Sequence, residues 1–303
     1  MNLFFMGTPE FASASLIAIA REHKVMKAIC MPDRAAGRGR KVSPPDVKKV
    51  AGELSIPVLQ PENLDEITVD FENLKPEAVC VVAYGKIIPS HILSFSPSGF
   101  INLHASLLPA YRGAAPINRA VMEGERKTGV TTMLVNDKLD SGDILLQKEI
   151  AIKDDEDSEI LARRMSAEGA ELLLKTLASI EDGSVSPVPQ DHSRATYAPM
   201  LSKDDGTIDW KQPSGIIRNL IRGTAPWPGA FTKLGGKTLK IIGADFAEGV
   251  GKPGEVLNSR KKFMVASGAG ALEIREVQIE GRKKMSGADF LLGAKLPAGT
   301  VLG

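Results

Sequence analysis

Cysteine is scarce in this sequence, and long apolar runs are absent. Cys30 and Cys80 are the only cysteines among 303 residues, and each lies in an apolar stretch. We therefore expect two buried, reduced thiols and no disulfide framework. No run of 18 apolar residues occurs, and the first residues lead into Gly7-Thr8-Pro9 without a basic segment or a cleavage site. These absences argue against a membrane span and a signal peptide, and they predict a cytoplasmic protein.

Several catalytic signatures are missing as well. The turn at Gly7 is not a G-x-G-x-x-G fingerprint, and no acidic residue follows at the end of the second predicted strand, so a dinucleotide site is disfavoured. The sequence has no Walker loop, no Ser or Cys nucleophile elbow and no spacing typical of metal ligands. These absences favour direct transfer between two bound substrates, without a metal and without a covalent enzyme intermediate.

The sequence does have the composition and length of a two-domain globular protein, with 43% hydrophobic and 25% charged residues. Strand and helix candidates alternate through residues 1–183, which predicts a Rossmann-like α/β domain with a doubly wound parallel sheet. Residues 184–205 are polar and turn-rich, and we expect a linker there. Short strand candidates between Gly-rich turns predict a smaller, OB-like β-barrel domain over residues 206–303.

The overall net charge of +1 conceals an asymmetry between these domains. Residues 206–303 contain 15 Lys and Arg residues against 8 Asp and Glu residues, a net charge of +7, which leaves −6 for the rest of the chain. A basic domain suits a polyanionic partner such as nucleic acid. A solvated surface that serves only solubility explains the same charges, so both interpretations stay open here.

A second basic feature is the loop from Met31 to Lys49, which contains the run Gly37-Arg38-Gly39-Arg40-Lys41. Its Gly and Pro residues predict no regular structure in its first part. Loops of this length in compact domains are typically functional or disordered. Phosphate contact and a merely solvated loop are therefore the two interpretations.

Three polar residues are candidates for catalysis. Asn102 and His104 end a predicted strand and, being two residues apart, share one face of it. Asp140 lies in a Gly-containing turn after another strand. The carboxyl ends of the strands of an open parallel sheet are where ligands bind. An Asn amide can donate to an oxygen that becomes anionic in acyl transfer, an imidazole can move protons near neutral pH, and a carboxylate can stabilise the imidazolium and fix its tautomer.

Each of these residues also has a purely structural interpretation. His104 could be a structural histidine, Asn102 could cap a turn, and Asp140 could form an Asx-turn with Gly142. The residues alone leave both sets of interpretations open.

Motifs along nearly the whole chain resemble those of the methionyl-tRNA formyltransferases. The run Asn-x-His-x-Ser-Leu-Leu-Pro from Asn102 to Pro109 is shared by enzymes that take a formyl group from 10-formyltetrahydrofolate. Further motifs narrow the resemblance to the enzyme that acts on initiator tRNA. They are Phe5–Ala12, the Arg-rich loop from Pro32 to Arg40, Val82–Gly85, Arg112–Pro116, Leu139–Asp143, Ala225–Gly229 and Met285–Ala288.

The resemblance implies formyl transfer from 10-formyltetrahydrofolate to the α-amino group of initiator methionyl-tRNA, by a monomeric cytoplasmic enzyme that needs no metal. It assigns the chemistry to Asn102, His104 and Asp140. It assigns folate binding to Ser106, Leu107, Leu108, Pro109, Tyr84 and Gly85. It assigns tRNA binding to Arg38, Arg40 and Lys41 in the basic loop and to Arg282, Lys283 and Lys284 in the C-terminal domain.

Two competing hypotheses remain at this point. Another folate-dependent formyltransferase that acts on a small amine, such as glycinamide ribonucleotide or an amino sugar, or a formyltetrahydrofolate hydrolase, would explain the candidate site but not the basic second domain. A non-catalytic RNA-binding protein would explain the basic domain but not the three polar residues.

Overall fold

The computed structural model describes residues 1–36, 41–257, 262–294, 296–297 and 299–303. The chain forms two compact units that alternate along the sequence. The first unit consists of Met1–Pro116, Lys127–Ala151 and Ala162–Ala198, and the second of Ile117–Arg126, Ile152–Leu161 and Pro199–Gly303. The domain limits expected from the sequence, 1–183, 184–205 and 206–303, stay a proposal.

Residues 1–183 contain nine strands and six α-helices among the described residues. The strands are β1 (Asn2–Gly7), β2 (Lys24–Ile29), β3 (Arg34–Ala36), β4 (Lys41–Ser43), β5 (Val58–Leu59), β6 (Ala78–Val82), β7 (Phe100–His104), β8 (Lys127–Leu134) and β9 (Ile144–Ala151). The helices are α1 (Glu10–Glu22), α2 (Asp46–Glu53), α3 (Thr68–Leu74), α4 (Ser90–Leu93), α5 (Pro116–Met122) and α6 (Ser158–Glu181).

The first unit is built on a seven-stranded sheet with the order β5-β2-β1-β6-β7-β8-β9. The five strands from β5 to β7 are parallel, and β6 is buried at all of its residues, as in a sheet covered on both faces. This confirms the predicted Rossmann-like domain. Strand β8 departs from the expected parallel arrangement, because it is antiparallel to both neighbours. Its connection to β9 is too short for a crossover helix, so the two strands must form a hairpin.

The structure confirms the interpretation of the cysteines. Both Cys30 and Cys80 are free and buried. Burial raises the pKa of the Cys30 thiol to about 11 and that of the Cys80 thiol to about 12. Within the described residues, no helix has the length and apolarity that crossing a membrane requires.

The basic loop is more regular than its Gly and Pro residues predicted. Strands β3 and β4 pair antiparallel, from Arg34 opposite Ser43 to Ala36 opposite Lys41. The prediction of irregular structure was wrong for these residues, because Pro44 and Pro45 come only after the second paired strand, where they remove no hydrogen bond of the pair. Two predicted tRNA-binding residues, Arg38 and Arg40, lie outside the described residues.

The second unit has a six-stranded antiparallel sheet, which confirms the predicted small β domain as a half-barrel. Its strands are β10 (Ala230–Leu234), β11 (Lys237–Ala247), β12 (Val256–Leu257), β13 (Met264–Ala266), β14 (Ala271–Ile279) and β15 (Met285–Ser286), and its later helices are α7 (Ser214–Gly223) and α8 (Gly287–Ala294). Helix α7 buries Ile217 and Ile221, four residues apart on one face, in a core with Trp210 and Phe263.

Candidate active site

His104 lies at the carboxyl end of β7, in the middle of the sheet, and only 6% of its surface is exposed. Its Nε2 lies 2.9 Å from the carbonyl oxygen of Tyr111. Since a carbonyl only accepts, Nε2 must carry a proton and donate it. The tautomer is thus fixed by a backbone carbonyl, and Nδ1 is the ring nitrogen left for exchanging protons.

Asp140 faces this second nitrogen. Its Oδ2 lies 3.7 Å from His104 Nδ1, which is beyond hydrogen-bonding distance but close enough for a strong electrostatic effect. The same oxygen accepts a hydrogen bond of 2.8 Å from the Gly113 amide. The carboxylate is therefore held by Gly113, and the Asx-turn with Gly142 that the sequence left open does not describe it. Asp140 has a φ of +46°, a left-handed conformation that Asp tolerates better than most residues.

Asn102 lies two residues before His104 on the same face of β7 and is half-buried. Its backbone pairs with Val81 of β6 and Met133 of β8. In the described part of the chain its side-chain amide has no hydrogen-bond partner, so it does not cap a turn. The structure thus brings His104 and Asp140 together and leaves a free amide donor on the same strand.

The loop that follows β7 is fixed by hydrogen bonds with side chains of β8 and β9 and with its own Ser106. Thr131 donates through Oγ1 to the Ser106 carbonyl at 2.6 Å and accepts from the Leu108 amide at 3.2 Å. Gln147 donates to the Leu108 carbonyl at 2.9 Å. The Ser106 hydroxyl donates to the Ala110 carbonyl at 2.6 Å, and Ser106 is fully buried. Ser106 thus supports the loop that contains Leu107 and Pro109, with its own hydroxyl engaged inside it.

Tyr84 and Gly85, the other predicted folate-binding residues, follow β6. The Tyr84 side chain is 2% exposed and packs in the core with Phe4 and Met6, and burial raises its pKa to about 12. Its carbonyl accepts a hydrogen bond of 2.8 Å from Thr8 Oγ1. The Tyr84 ring is thus a core residue, and what this turn presents to a ligand is Gly85 and backbone.

Arg112 and Gln190 support the site through buried hydrogen bonds, and neither was among the predicted site residues. Arg112 is 4% exposed, and its guanidinium donates to Gln190 Oε1 at 2.6 Å and to His192 Nδ1 at 3.0 Å. The Arg112 side chain is therefore part of the interior of the site. No sequence signal could have identified Gln190, because it lies in the segment predicted to be a linker.

The C-terminal residues predicted to bind tRNA form an exposed turn between β14 and β15. Arg282, Lys283 and Lys284 are all exposed. No ion pair engages them among the residues that the structure describes. Lys41 begins β4 at the edge of the basic hairpin.

Comparisons with known proteins agree with this fold. The chain matches the formyl transferase family model over residues 1–177 and the model of the formyl transferase C-terminal domain over residues 200–295. Methionyl-tRNA formyltransferase from Caldanaerobacter subterraneus subsp. tengcongensis is 47% identical, with both chains covered completely. The enzyme of that name from Geobacter metallireducens is 46% identical, with 100% of this chain and 99% of its own covered.

Solved structures show the same fold at lower sequence identity. The N-formyltransferase from Helicobacter canadensis superposes with a TM-score of 0.70 at 20% identity, over 90% of this chain and 97% of its own. HypX from Aquifex aeolicus in complex with tetrahydrofolic acid has a TM-score of 0.65 at 22% identity, over 96% of this chain and 46% of its own. With family models that match both parts of the chain and relatives that match its whole length, the protein belongs to the formyl transferase family.

Proposed function

We propose that the protein transfers the formyl group of 10-formyltetrahydrofolate to the α-amino group of initiator methionyl-tRNA, in the cytoplasm. The observation that carries this proposal is the full-length identity of 47% to an enzyme named methionyl-tRNA formyltransferase. The site supports it, because an uncommitted amide on Asn102 and the His104–Asp140 pair have the chemistry that acyl transfer to an amine requires.

The transfer proceeds by direct attack. The neutral α-amino group attacks the formyl carbon, a C–N bond forms, and the formyl oxygen becomes anionic in the tetrahedral intermediate. Asn102 donates a hydrogen bond to that oxygen. His104 accepts the surplus proton from the new ammonium group at Nδ1 and returns it to N10 of the folate as the bond from N10 to the formyl carbon breaks. Tetrahydrofolate and formylmethionyl-tRNA are the products, and the enzyme is unchanged.

Asp140 stabilises the charged intermediate of this proton transfer. When Nδ1 of His104 gains its proton, the ring becomes cationic 3.7 Å from the Asp140 carboxylate. Two opposite charges at that separation in a partly buried site attract each other strongly. Because the ring is already held through Nε2 by the Tyr111 carbonyl, Asp140 acts on the charge of the ring and not on its orientation.

The two substrates are bound by different sets of residues. The Ser106–Pro109 loop, whose backbone Thr131 and Gln147 keep in place, and the Tyr84–Gly85 turn hold the folate. Arg38, Arg40 and Lys41 of the basic loop and Arg282, Lys283 and Lys284 of the exposed turn contact tRNA phosphates, because cationic side chains provide most of the affinity for nucleic acid.

The test is an acceptor competition with purified protein and formyl-labelled 10-formyltetrahydrofolate. We expect label in initiator methionyl-tRNA, and none in glycinamide ribonucleotide or a nucleotide-linked amino sugar. The His104→Ala variant serves as the control for enzyme-catalysed transfer. Preferential labelling of a small amine, or release of formate with no acceptor labelled, would contradict the proposal.

A further inference from the structure

Gln190 connects two loops of the active site, although it lies 78 residues after one of them and 50 residues after the other. It is 6% exposed, and its carboxamide is fully engaged. Oε1 accepts from Arg112 Nη2 at 2.6 Å and from Arg112 Nε at 3.2 Å. Nε2 donates to the carbonyl oxygens of Asp140 at 3.0 Å and Gly142 at 2.7 Å. Only a side chain that both accepts and donates can make this bridge.

Gln190 contacts the segments that orient the catalytic groups. His104 donates to the carbonyl of Tyr111, the residue before Arg112, and Asp140 accepts from the amide of Gly113, the residue after it. Gln190 thus links the backbone of the Asp140 turn to the Arg112 side chain. The backbone on either side of Arg112 already holds His104, through the Tyr111 carbonyl, and the Asp140 carboxylate, through the Gly113 amide. The left-handed backbone at Asp140 makes the turn dependent on such restraints.

Arg112 is suited to the other end of the bridge. In the part of the chain that the structure describes, its buried guanidinium has no carboxylate partner, and its donors go to Gln190 and to His192 Nδ1. The Arg112 backbone is fixed independently, since its amide donates to the Thr196 carbonyl and its carbonyl accepts from the Ala198 amide. The guanidinium is thus a rigid point against which Gln190 is held.

We propose that Gln190 is a positioning residue for the formyl transfer, which keeps the Asp140 carboxylate beside His104 by joining the Asp140 turn to Arg112. The inference rests on the proposed function for its kinetic test only. It concerns the geometry of the His104–Asp140 pair and is also measured without any substrate.

Two substitutions separate the two halves of the bridge. Gln190→Ala removes the acceptor and the donor, whereas Gln190→Glu retains an acceptor for Arg112 and has no N–H for the carbonyls of Asp140 and Gly142. We expect both variants to lose about 10- to 100-fold in kcat, because small misplacements of catalytic groups cost this much, with KM for both substrates within about twofold of the wild-type value. Gln212→Glu, the same substitution at an exposed glutamine, should leave kcat unchanged.

A spectroscopic measurement tests whether a displaced Asp140 carboxylate causes the loss of kcat in the Gln190 variants. In protein labelled with ¹⁵N-glycine, the Gly113 amide should be protected from hydrogen exchange because it donates to Asp140. We expect this protection to fall in both Gln190 variants and to persist in Gln212→Glu, while the protection of Gly129 in β8 stays unchanged as a reporter of the sheet.

The outcomes separate this inference from the proposed function. If the wild-type protein formylates a different acceptor, the proposed function fails while the loss of Gly113 protection still supports the bridge. Full activity in Gln190→Glu would show that an acceptor for Arg112 is all that the site needs and would overturn the inference. Unchanged Gly113 protection in Gln190→Ala would overturn it as well, and a loss of protection at Gly129 together with Gly113 would assign Gln190 to general stability instead.

Discussion

Asn102 offers the most direct test of the chemistry at the scale of single residues, because its side chain has no hydrogen-bond partner in the described part of the chain. Asn102→Ala should lower kcat by about 10²- to 10³-fold, the usual effect of removing one oxyanion donor. No partner is left unpaired, so the free energy of unfolding should change by less than about 0.5 kcal/mol. Single-turnover formyl transfer and urea denaturation measure the two quantities.

The control for Asn102 is Asn118→Ala, because the Asn118 amide donates to the Gly223 carbonyl at 2.8 Å, and its loss removes one of the two side-chain hydrogen bonds that this carbonyl accepts, the other coming from Ser158. We expect the opposite pattern there, with stability reduced and kcat retained at temperatures where the protein is folded. A normal kcat in Asn102→Ala would show that another donor stabilises the oxyanion.

Asp140 allows charge to be separated from geometry. Asp140→Asn retains an oxygen that can accept from the Gly113 amide, and Asn adopts left-handed backbone readily, so the turn should survive. The negative charge beside His104 is lost, so the imidazolium is no longer stabilised. We expect kcat to fall at least about tenfold, with folate affinity within about twofold of wild type, as measured by steady-state kinetics and fluorescence titration. Wild-type turnover in this variant would contradict the electrostatic role.

The sequence predicted where individual residues lie when the signal is local, and their roles stay a prediction. Asn102 and His104 were identifiable because strand alternation and residue type are both visible in five residues. Gln190 was not, because its role depends on a side-chain contact between distant parts of the chain. For Tyr84, the motif was recognisable, but the burial of its ring was not. The ring lies in a core with Phe4, and this burial depends on the packing of several elements.

At the scale of elements, the β3–β4 hairpin is anchored at its base by three side chains. Lys48 contacts both carboxylate oxygens of Asp33 at 2.8 and 2.9 Å and Gln60 Oε1 at 2.7 Å. Gln60 donates in turn to Asp33 at 2.7 Å and to the Met31 carbonyl at 2.8 Å. The hydrogen bonds from Lys48 and Gln60 hold the pKa of Asp33 below its ordinary value. The cluster joins the chain just before β3 to helix α2 and to Gln60, the residue after β5.

Removing the neutral member of this cluster tests whether the hairpin is pre-ordered for tRNA. Gln60→Ala removes no charge, so the salt dependence of tRNA binding should keep its slope. Because tRNA must then order the hairpin itself, we expect the KM for methionyl-tRNA to rise about two- to fivefold at unchanged kcat. Steady-state kinetics at several salt concentrations check this. Gln212→Ala, at an exposed glutamine before α7, is the matched control, and an unaltered KM in Gln60→Ala would show that the cluster does not order the hairpin.

Helix α5 is joined to residues 199–206 within the second unit by an ion pair. Arg119 Nη1 lies 2.7 Å from Asp205 Oδ1, and Asp205 Oδ2 accepts from the amide and hydroxyl of Ser202. Burial alone would raise the pKa of Asp205, but the hydrogen bonds from Ser202 and Arg119 outweigh it, so its pKa lies below its ordinary value. The ionised form is therefore favoured by folding.

The sign of this shift gives a pH dependence. A carboxyl group whose pKa is lowered by folding stabilises the protein fully above its unfolded pKa of about 3.9, and loses this as pH falls through the folded value. Asp205→Asn should reduce the free energy of unfolding at pH 7 by about 1–3 kcal/mol, and the difference from wild type should shrink below about pH 4. Urea denaturation at several pH values measures it. Asp209→Asn, an exposed control, should have a smaller effect, and a difference independent of pH would contradict the assignment.

Elements were predicted best where one pattern governs them. The buried β-branched run of β6 and the periodic α6 were recognisable, because burial and helical spacing act over many residues. The pairing of β3 with β4 and the antiparallel direction of β8 were not, because both depend on which segments meet. Helix α7 escaped notice because Gly215 and Gly223 interrupt a sequence that is helical through the packing of Ile217 and Ile221.

At the scale of the whole molecule, residues 1–205 carry a net negative and residues 206–303 a net positive charge, and the basic part has the exposed turn Arg282-Lys283-Lys284. If the three side chains contact phosphates, each releases counterions when tRNA binds, and the logarithm of affinity falls with the logarithm of salt concentration by about one for each contact. If they are only solvated, the slope does not depend on them. Charge alone could not distinguish these cases, but the slope can.

Replacing Arg282, Lys283 and Lys284 together with Ala should therefore reduce the magnitude of this slope by about 2–3 and weaken tRNA binding most at low salt. Filter binding of methionyl-tRNA between about 50 and 200 mM salt measures it. The matched control replaces the exposed cations Arg21, Lys24 and Lys175 of the first unit, which changes net charge equally. The single-turnover rate at saturating tRNA should stay near wild type in both, because none of the six residues belongs to the site around His104. Equal loss of slope in the two triple variants would mean that total charge, and not the turn between β14 and β15, attracts the tRNA.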